Sequence, residues 1–327
     1  MIIRKFNLWK KEEYHYPHAM GFIPNIRAYL HETGELRPAV MVIPGGGYSF
    51  ASVREGAPVA RRFYKLGFNT FVLTYTTNPL QTMPLGDQPA ADAARAIRLI
   101  RSKNQELFVD PHKLAVCGFS AGGHLAGTVS NQFGELTDPD PDLASISARP
   151  DASILCYPVI TTDEAWSHKG SFLALLGDNP GKRMLNHASL EKHVTKKTPP
   201  TFLWATMTDQ SVPVENTLLY AKALREKGIP FALHLFSQGK HGLSLADEDW
   251  ANRRCKEDYT HDQLFRVLRA VETGEIPVSE EKKTEFFTNF SYGPDAPPKP
   301  LDVPVPEVQV WPENAAKWLH ELFQQQA

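Results

Sequence analysis

Along this chain, short runs in which nearly every position is apolar alternate with stretches in which apolar residues recur every three or four positions. The runs are AVMVI (39–43), FNTFVLTY (68–75), KLAVCG (113–118), ASILCYPVI (152–160), TFLWATM (201–207) and FALHLF (231–236). A strand with one wet face alternates apolar and polar residues, so near-continuous apolarity predicts strands buried on both faces, as in a parallel sheet. Between them the helical period predicts helices over 54–67, 89–103, 212–228 and 311–323. The second puts Ala93, Ala96, Ile97 and Ile100 on one face, and the last stacks Ala315, Trp318, Leu319, Leu322 and Phe323. The third carries proline in its first turn (Pro213) and glycine after its last (Gly228), the asymmetry expected of helix ends. Strand and helix in alternation predict an α/β fold with a doubly wound, mostly parallel sheet.

Residues 247–310 break the rhythm and are read as an insertion before the last helix, within a chain (1–327) that otherwise forms one domain. The insertion holds a helical patch in which Thr260 and Gln263 have capping-box spacing and Leu264, Leu268 and Val271 share a face. A proline-rich tract, YGPDAPPKPLDVPVPEV, follows and keeps the chain extended or looped. The insertion is expected to be a lid, an oligomer contact or a packed excursion. As a lid, its amphipathic helix would lie beside a cleft and limit the length of the bound chain.

Composition narrows the function. The net charge of −2 and the absence of a basic run argue against a nucleic-acid partner. The N-terminus turns charged within ten residues and no segment approaches the roughly 18 apolar residues of a membrane span, so no membrane partner and a cytoplasmic location are expected. Cys117, Cys156 and Cys255 are too few for a disulfide framework; the first two fall in apolar runs and read as packed thiols. No cluster with metal-ligand spacing is evident, so neither metal nor cofactor is expected.

The chemistry gathers around Gly118-Phe119-Ser120-Ala121-Gly122. The pattern G-x-S-x-G places a serine on a sharp strand-to-helix turn, where the two backbones approach so closely that small neighbours are required. An apolar strand precedes it here and AGGHLAGTVSNQF follows as a helix, whose first amides and positive dipole end would point at the serine. A nucleophilic serine needs a base and an acid to orient that base. In the matching fold these follow in the order Ser, Asp or Glu, His, each just past a strand. Asp209 closes TFLWATMTD and His241 follows FALHLF, with Gly242 to turn the loop. Asp163 also lies past a strand, but leaves a further strand and helix before the histidine; Glu215 falls within a helix. His124 sits a turn into the helix after Ser120, and His234 falls inside a strand as a packing residue. Oxyanion donors would be the N–H of Ala121 and one or two from the glycines after AVMVI, Gly45 to Gly47.

With these residues assembled, the chain resembles an α/β-hydrolase esterase, and most of all the bacterial carbohydrate esterases of the acetyl-xylan and feruloyl esterase-like group. The resemblance runs over VIPGGGY, GFSAGGHLA, TDQSVPVEN, GKHGL and WPENAAKWL, leaving out the N-terminal segment and residues 247–310. Lipase-like relatives start the oxyanion loop with histidine, where this chain has Pro44. The resemblance implies Gly46, Gly47 and Ala121 as oxyanion donors, Ser120, His241 and Asp209 as the triad, and an acyl, first of all acetyl, ester of a plant oligosaccharide as substrate. Tyr48, beside the glycines, is a candidate to line the cleft or to pack. A feruloyl or other short-acyl esterase, a peptidase of the same fold and a non-catalytic binding protein on this scaffold remain alternatives, and self-association is left open.

Overall fold

A computed structural model describes residues 1–293 and 300–325. Its frame is one sheet of eight strands: β1 (Ile2–Asn7), β2 (Asn25–Leu30), β3 (Arg37–Ile43), β4 (Asn69–Thr74), β5 (Val109–Phe119), β6 (Ala152–Cys156), β7 (Thr201–Thr206) and β8 (Phe231–Phe236). They lie side by side in the order β1-β2-β4-β3-β5-β6-β7-β8. From β4 to β8 every pairing is parallel, whereas β1 with β2 and β2 with β4 are antiparallel. This is the mostly parallel, doubly wound sheet that the apolar runs predict.

The physical reason for those runs is visible in β3. Met41 and Ile43 face one core with helices Gln88–Ser102 and Ala121–Asn131, while Val40 and Val42 face another with helices Ala57–Lys65 and Trp311–Gln325. A strand covered on both faces has no wet side on which to place a polar residue. Ala93, Ala96, Ile97 and Ile100 are wholly buried, as their shared helix face requires. β1 escaped the sequence reading because it alternates half-buried and exposed residues in a charged stretch, the signature of a half-wet edge strand.

Within 247–310, two helices of eleven residues (Asp262–Glu272 and Glu280–Phe290) leave the sheet and build a small core of their own. Leu264, Leu268 and Val271 pack there with Leu80 and Phe286. The capping-box reading is corrected. Helix Asp262–Glu272 has no side-chain cap. The Gln263 amide is instead buried, accepting from the N–H and hydroxyl of Thr77 and donating to the Thr77 carbonyl. Of the proline-rich tract, residues 294–299 lie outside the described residues. No helix among the described residues is long and apolar enough to cross a membrane.

Candidate active site

The carboxyl ends of β3, β5, β7 and β8 bring four loops to one edge of the sheet, where the strand order reverses between β3 and β5. That is the place where open α/β sheets bind ligands. At the end of β5, Ser120 has φ 52° and ψ −119°, a conformation that costs a non-glycine residue about 1–3 kcal/mol. Its backbone is held there from both sides. Its N–H donates to the Cys156 carbonyl (3.0 Å), and its carbonyl accepts from the N–H groups of His124 (3.1 Å) and Val159 (3.0 Å).

The two motif glycines allow this turn. A Cβ on Gly118 would stand 2.2 Å from the Gly122 carbonyl oxygen, and one on Gly122 would stand 2.2 Å from that of Ile43 and 2.4 Å from that of Pro44. All three obstacles are backbone, which cannot rotate away. Gly122→Ala is therefore expected to cost about 3 kcal/mol or more in denaturant unfolding. Gly134→Ala, where nothing lies within 4 Å of the added carbon, should change stability by less than about 0.5 kcal/mol. Equal midpoints for the two variants would refute the close-approach argument.

Ser120, His241 and Asp209 form one hydrogen-bonded chain. His241 Nε2 lies 2.7 Å from Ser120 Oγ and Nδ1 lies 2.6 Å from Asp209 Oδ2. The other carboxylate oxygen of Asp209 accepts from the N–H groups of Ser211 (2.8 Å) and Val212 (3.0 Å), so the acid is fixed before it meets the histidine. Its side chain is 1% exposed, while that of His241 is 21% exposed. An imidazole held in this way can take a proton from the serine at Nε2 while a fixed carboxylate balances the charge it acquires.

The glycine loop after β3 reaches the same point. Gly46 has φ 124°, and a Cβ there would meet the Phe50 carbonyl oxygen at 2.2 Å, so the loop depends on glycine. Among the described residues, none accepts a hydrogen bond from the N–H groups of Gly46, Gly47 or Ala121. These unspent donors are available to a ligand next to Ser120.

The rival candidates lie elsewhere. Asp163 sits exposed in a loop and accepts from the Ala165 N–H (3.0 Å). His124 is buried, with burial pushing its pKa down to about 4. Its Nδ1 is 2.8 Å from the Tyr48 hydroxyl and its Nε2 is 2.8 Å from the Ala188 carbonyl. The same contact corrects the cleft-lining reading of Tyr48, which is 1% exposed and packs edge-on to His124 and Tyr75, outside the cavity at Ser120. His234 stacks on Phe202, as a packing residue would.

Two residues at the site carry no motif. Glu55 is buried; one carboxylate oxygen accepts from the Gly45 N–H (2.8 Å) and the other from the Tyr157 hydroxyl (2.7 Å). That hydroxyl also accepts from the Ser244 N–H (3.0 Å), and the Tyr157 ring stands edge-on to His241 at 5.0 Å. Glu55 thus ties the glycine loop to the loop that carries His241. Burial raises its pKa, opposed chiefly by the Tyr157 and Gly45 hydrogen bonds. His168 lies beside Gly47; its Nδ1 accepts from the Ser171 N–H (3.2 Å), so the neutral ring carries its proton on Nε2. Burial first, then the proximity of His241, lowers its pKa and favours that neutral form. Neither residue sits at a strand end with a partner in sequence, so only the assembled fold reveals them.

A cavity of about 490 Å³ opens from Ser120 and His241. The glycine loop, Pro79–Gln81, His168 and helix Glu280–Phe290 form its walls. The helix expected to lie beside the cleft, Asp262–Glu272, packs behind this wall instead.

Comparison with known proteins places this geometry among relatives. The family model described as BD-FAE matches residues 28–224. Endo-1,4-beta-xylanase B of Butyrivibrio fibrisolvens is 45% identical over 271 residues, covering 82% of this chain and 42% of that protein. The acetylxylan esterase of Xylanibacter ruminicola is 32% identical over 237 residues, covering 70% of this chain and 44% of that protein. The chain thus spans less than half the length of these two relatives. Among solved structures, the acetyl ester-xyloside bifunctional hydrolase of Caldicellulosiruptor lactoaceticus superposes with a TM-score of 0.70 at 37% identity, over 83% of this chain and 96% of that one.

Proposed function

The chain belongs to the BD-FAE family and has the α/β-hydrolase fold, and from that premise we propose that it is a serine esterase that removes acetyl groups from plant-derived oligosaccharides. The observation that carries the reading is the unbroken chain from Ser120 through His241 to Asp209, with three unspent N–H donors beside the serine. In this mechanism His241 takes the Ser120 proton as Oγ attacks the ester carbonyl. The Gly46, Gly47 and Ala121 amides receive the oxyanion, a role in which each donor is worth about 10²–10³ in turnover. The alkoxide of the sugar leaves with the proton from Nε2, and an acetyl group remains on Oγ. Water then gives a proton to His241 and attacks the acetyl-serine, releasing acetate and restoring the serine. No step calls on a metal or cofactor.

The acetyl choice draws on the names of the relatives, one an acetylxylan esterase and one an acetyl ester-xyloside hydrolase. Acetate release from acetylated xylo-oligosaccharides tests it. Release at a kcat of about 1–10³ s⁻¹, the range of ordinary enzymes, is expected. Release of ferulate from feruloylated oligosaccharides without release of acetate would move the assignment to the larger acyl group, and release of neither would overturn the oligosaccharide reading.

A further inference from the structure

The cavity is far larger than an acetyl group needs, and much of its lining belongs to structure that the triad does not use. A 490 Å³ cleft falls within the range of about 300–1,000 Å³ that holds ligands of several rings. One of its walls is helix Glu280–Phe290, which Phe286 anchors to the small core behind it.

From this wall we infer a binding subsite for the alcohol half of the ester, recognising a neutral pyranose ring; the inference rests on the esterase reading above. Three observations point there. First, Phe290 and Phe50 stand edge-to-face at 5.7 Å, both half-buried at the cavity, and offer flat apolar surface suited to the C–H face of a sugar. Second, polar groups able to bond hydroxyls sit beside them. Asn289 is exposed at the cavity, and its side chain has no hydrogen-bond partner among the described residues. Gln81 donates one N–H to Ser49 Oγ (3.0 Å) and keeps its carbonyl and a second N–H. Third, the charges on this wall cancel, because Lys282 Nζ pairs with Glu285 Oε2 at 3.1 Å on the same helix. The other charged side chains of the lining are also engaged, Arg54 with Asp302 (2.7 Å) and Glu55 with the Gly45 N–H and the Tyr157 hydroxyl. A polyhydroxylated neutral ring, which meets apolar faces and amides together, therefore suits this wall better than a charged leaving group.

The test compares two esters that share the acetyl group and differ in the alcohol: p-nitrophenyl acetate and acetylated xylo-oligosaccharides. The readout is the ratio of kcat/KM on the oligosaccharide to that on the nitrophenyl ester. Asn289→Ala places the best helix former at an exposed position, so the fold is preserved. It should lower the ratio about 3- to 10-fold, mainly through KM, as loss of a hydrogen bond made in both ground and transition states would. Asn289→Trp, which fills the space over the wall, should lower it further. Glu281→Ala, exposed on the same helix but away from the cavity, should leave the ratio unchanged. An unchanged ratio in both Asn289 variants, with the wild type active on oligosaccharide, would overturn the subsite and leave the esterase reading intact. A wild type active on p-nitrophenyl acetate alone would overturn the sugar assignment. Activity on neither ester would overturn the esterase reading, and the subsite with it.

Discussion

Replacing Ser120 by alanine is expected to lower ester hydrolysis by roughly 10⁵–10⁶-fold in kcat, to the level that oriented binding and the oxyanion donors alone can support. The size of the effect follows from what the hydroxyl does. In the proposed mechanism its oxygen forms the acyl-enzyme, and without it His241 has no group to deprotonate at 2.7 Å from Nε2. Stability should barely move. Alanine at φ 52° bears the same backbone strain as serine. The backbone bonds that hold the turn, from Ser120 N–H to Cys156 and from His124 and Val159 to the Ser120 carbonyl, involve no side-chain atom of the serine. Acetate release measured beside a thermal melt separates the two quantities. Release that survives the substitution with an unchanged melt would refute Ser120 as the nucleophile.

How much of this was legible beforehand depends on whether a feature lies in a local pattern or in a distant contact. The strands of the parallel sheet were legible because burial on both faces leaves an apolar run that no helix period explains, as in AVMVI and TFLWAT. Ser120, Asp209 and His241 were legible because each is placed by the end of a strand, and a shared sheet edge then brings the three together. Tyr48 stayed open between lining the cleft and packing because adjacency to the glycines says nothing about direction. After two residues of positive φ, its own φ of 61° turns the ring toward His124 and away from the cleft. Gln263 misled: the spacing of a cap was present, but the amide was claimed by Thr77, 186 residues away. Glu55 belongs to the same class. Its role exists only once Gly45 and Tyr157, from two other loops, meet its two oxygens. Long-range polar contacts of this kind leave no periodic trace in a sequence.

Asp209→Asn should lower kcat about 10⁴-fold, and the structure indicates why so small a change would have so large an effect. Oδ1 of Asp209 accepts from two backbone N–H groups, those of Ser211 and Val212. An asparagine in its place must turn its only acceptor, the carbonyl oxygen, toward those two donors. Its NH₂ then faces His241 Nδ1, which must become an acceptor and give up its proton. The neutral ring would therefore carry its hydrogen on Nε2, pointing an N–H rather than a lone pair at Ser120 Oγ, and the base is lost. Magnitudes separate this account from simple loss of a charge-assisted hydrogen bond. Such a loss is worth about 1.5–3 kcal/mol, at most roughly 160-fold in rate, whereas 10⁴-fold corresponds to about 5.4 kcal/mol. A kcat reduced by only ten- to a hundred-fold, in a variant that melts normally, would mean that the acid tunes the histidine without setting its tautomer. A 10⁴-fold fall with KM little changed would mean that Asp209 acts on the transition state by deciding which nitrogen of His241 holds the proton.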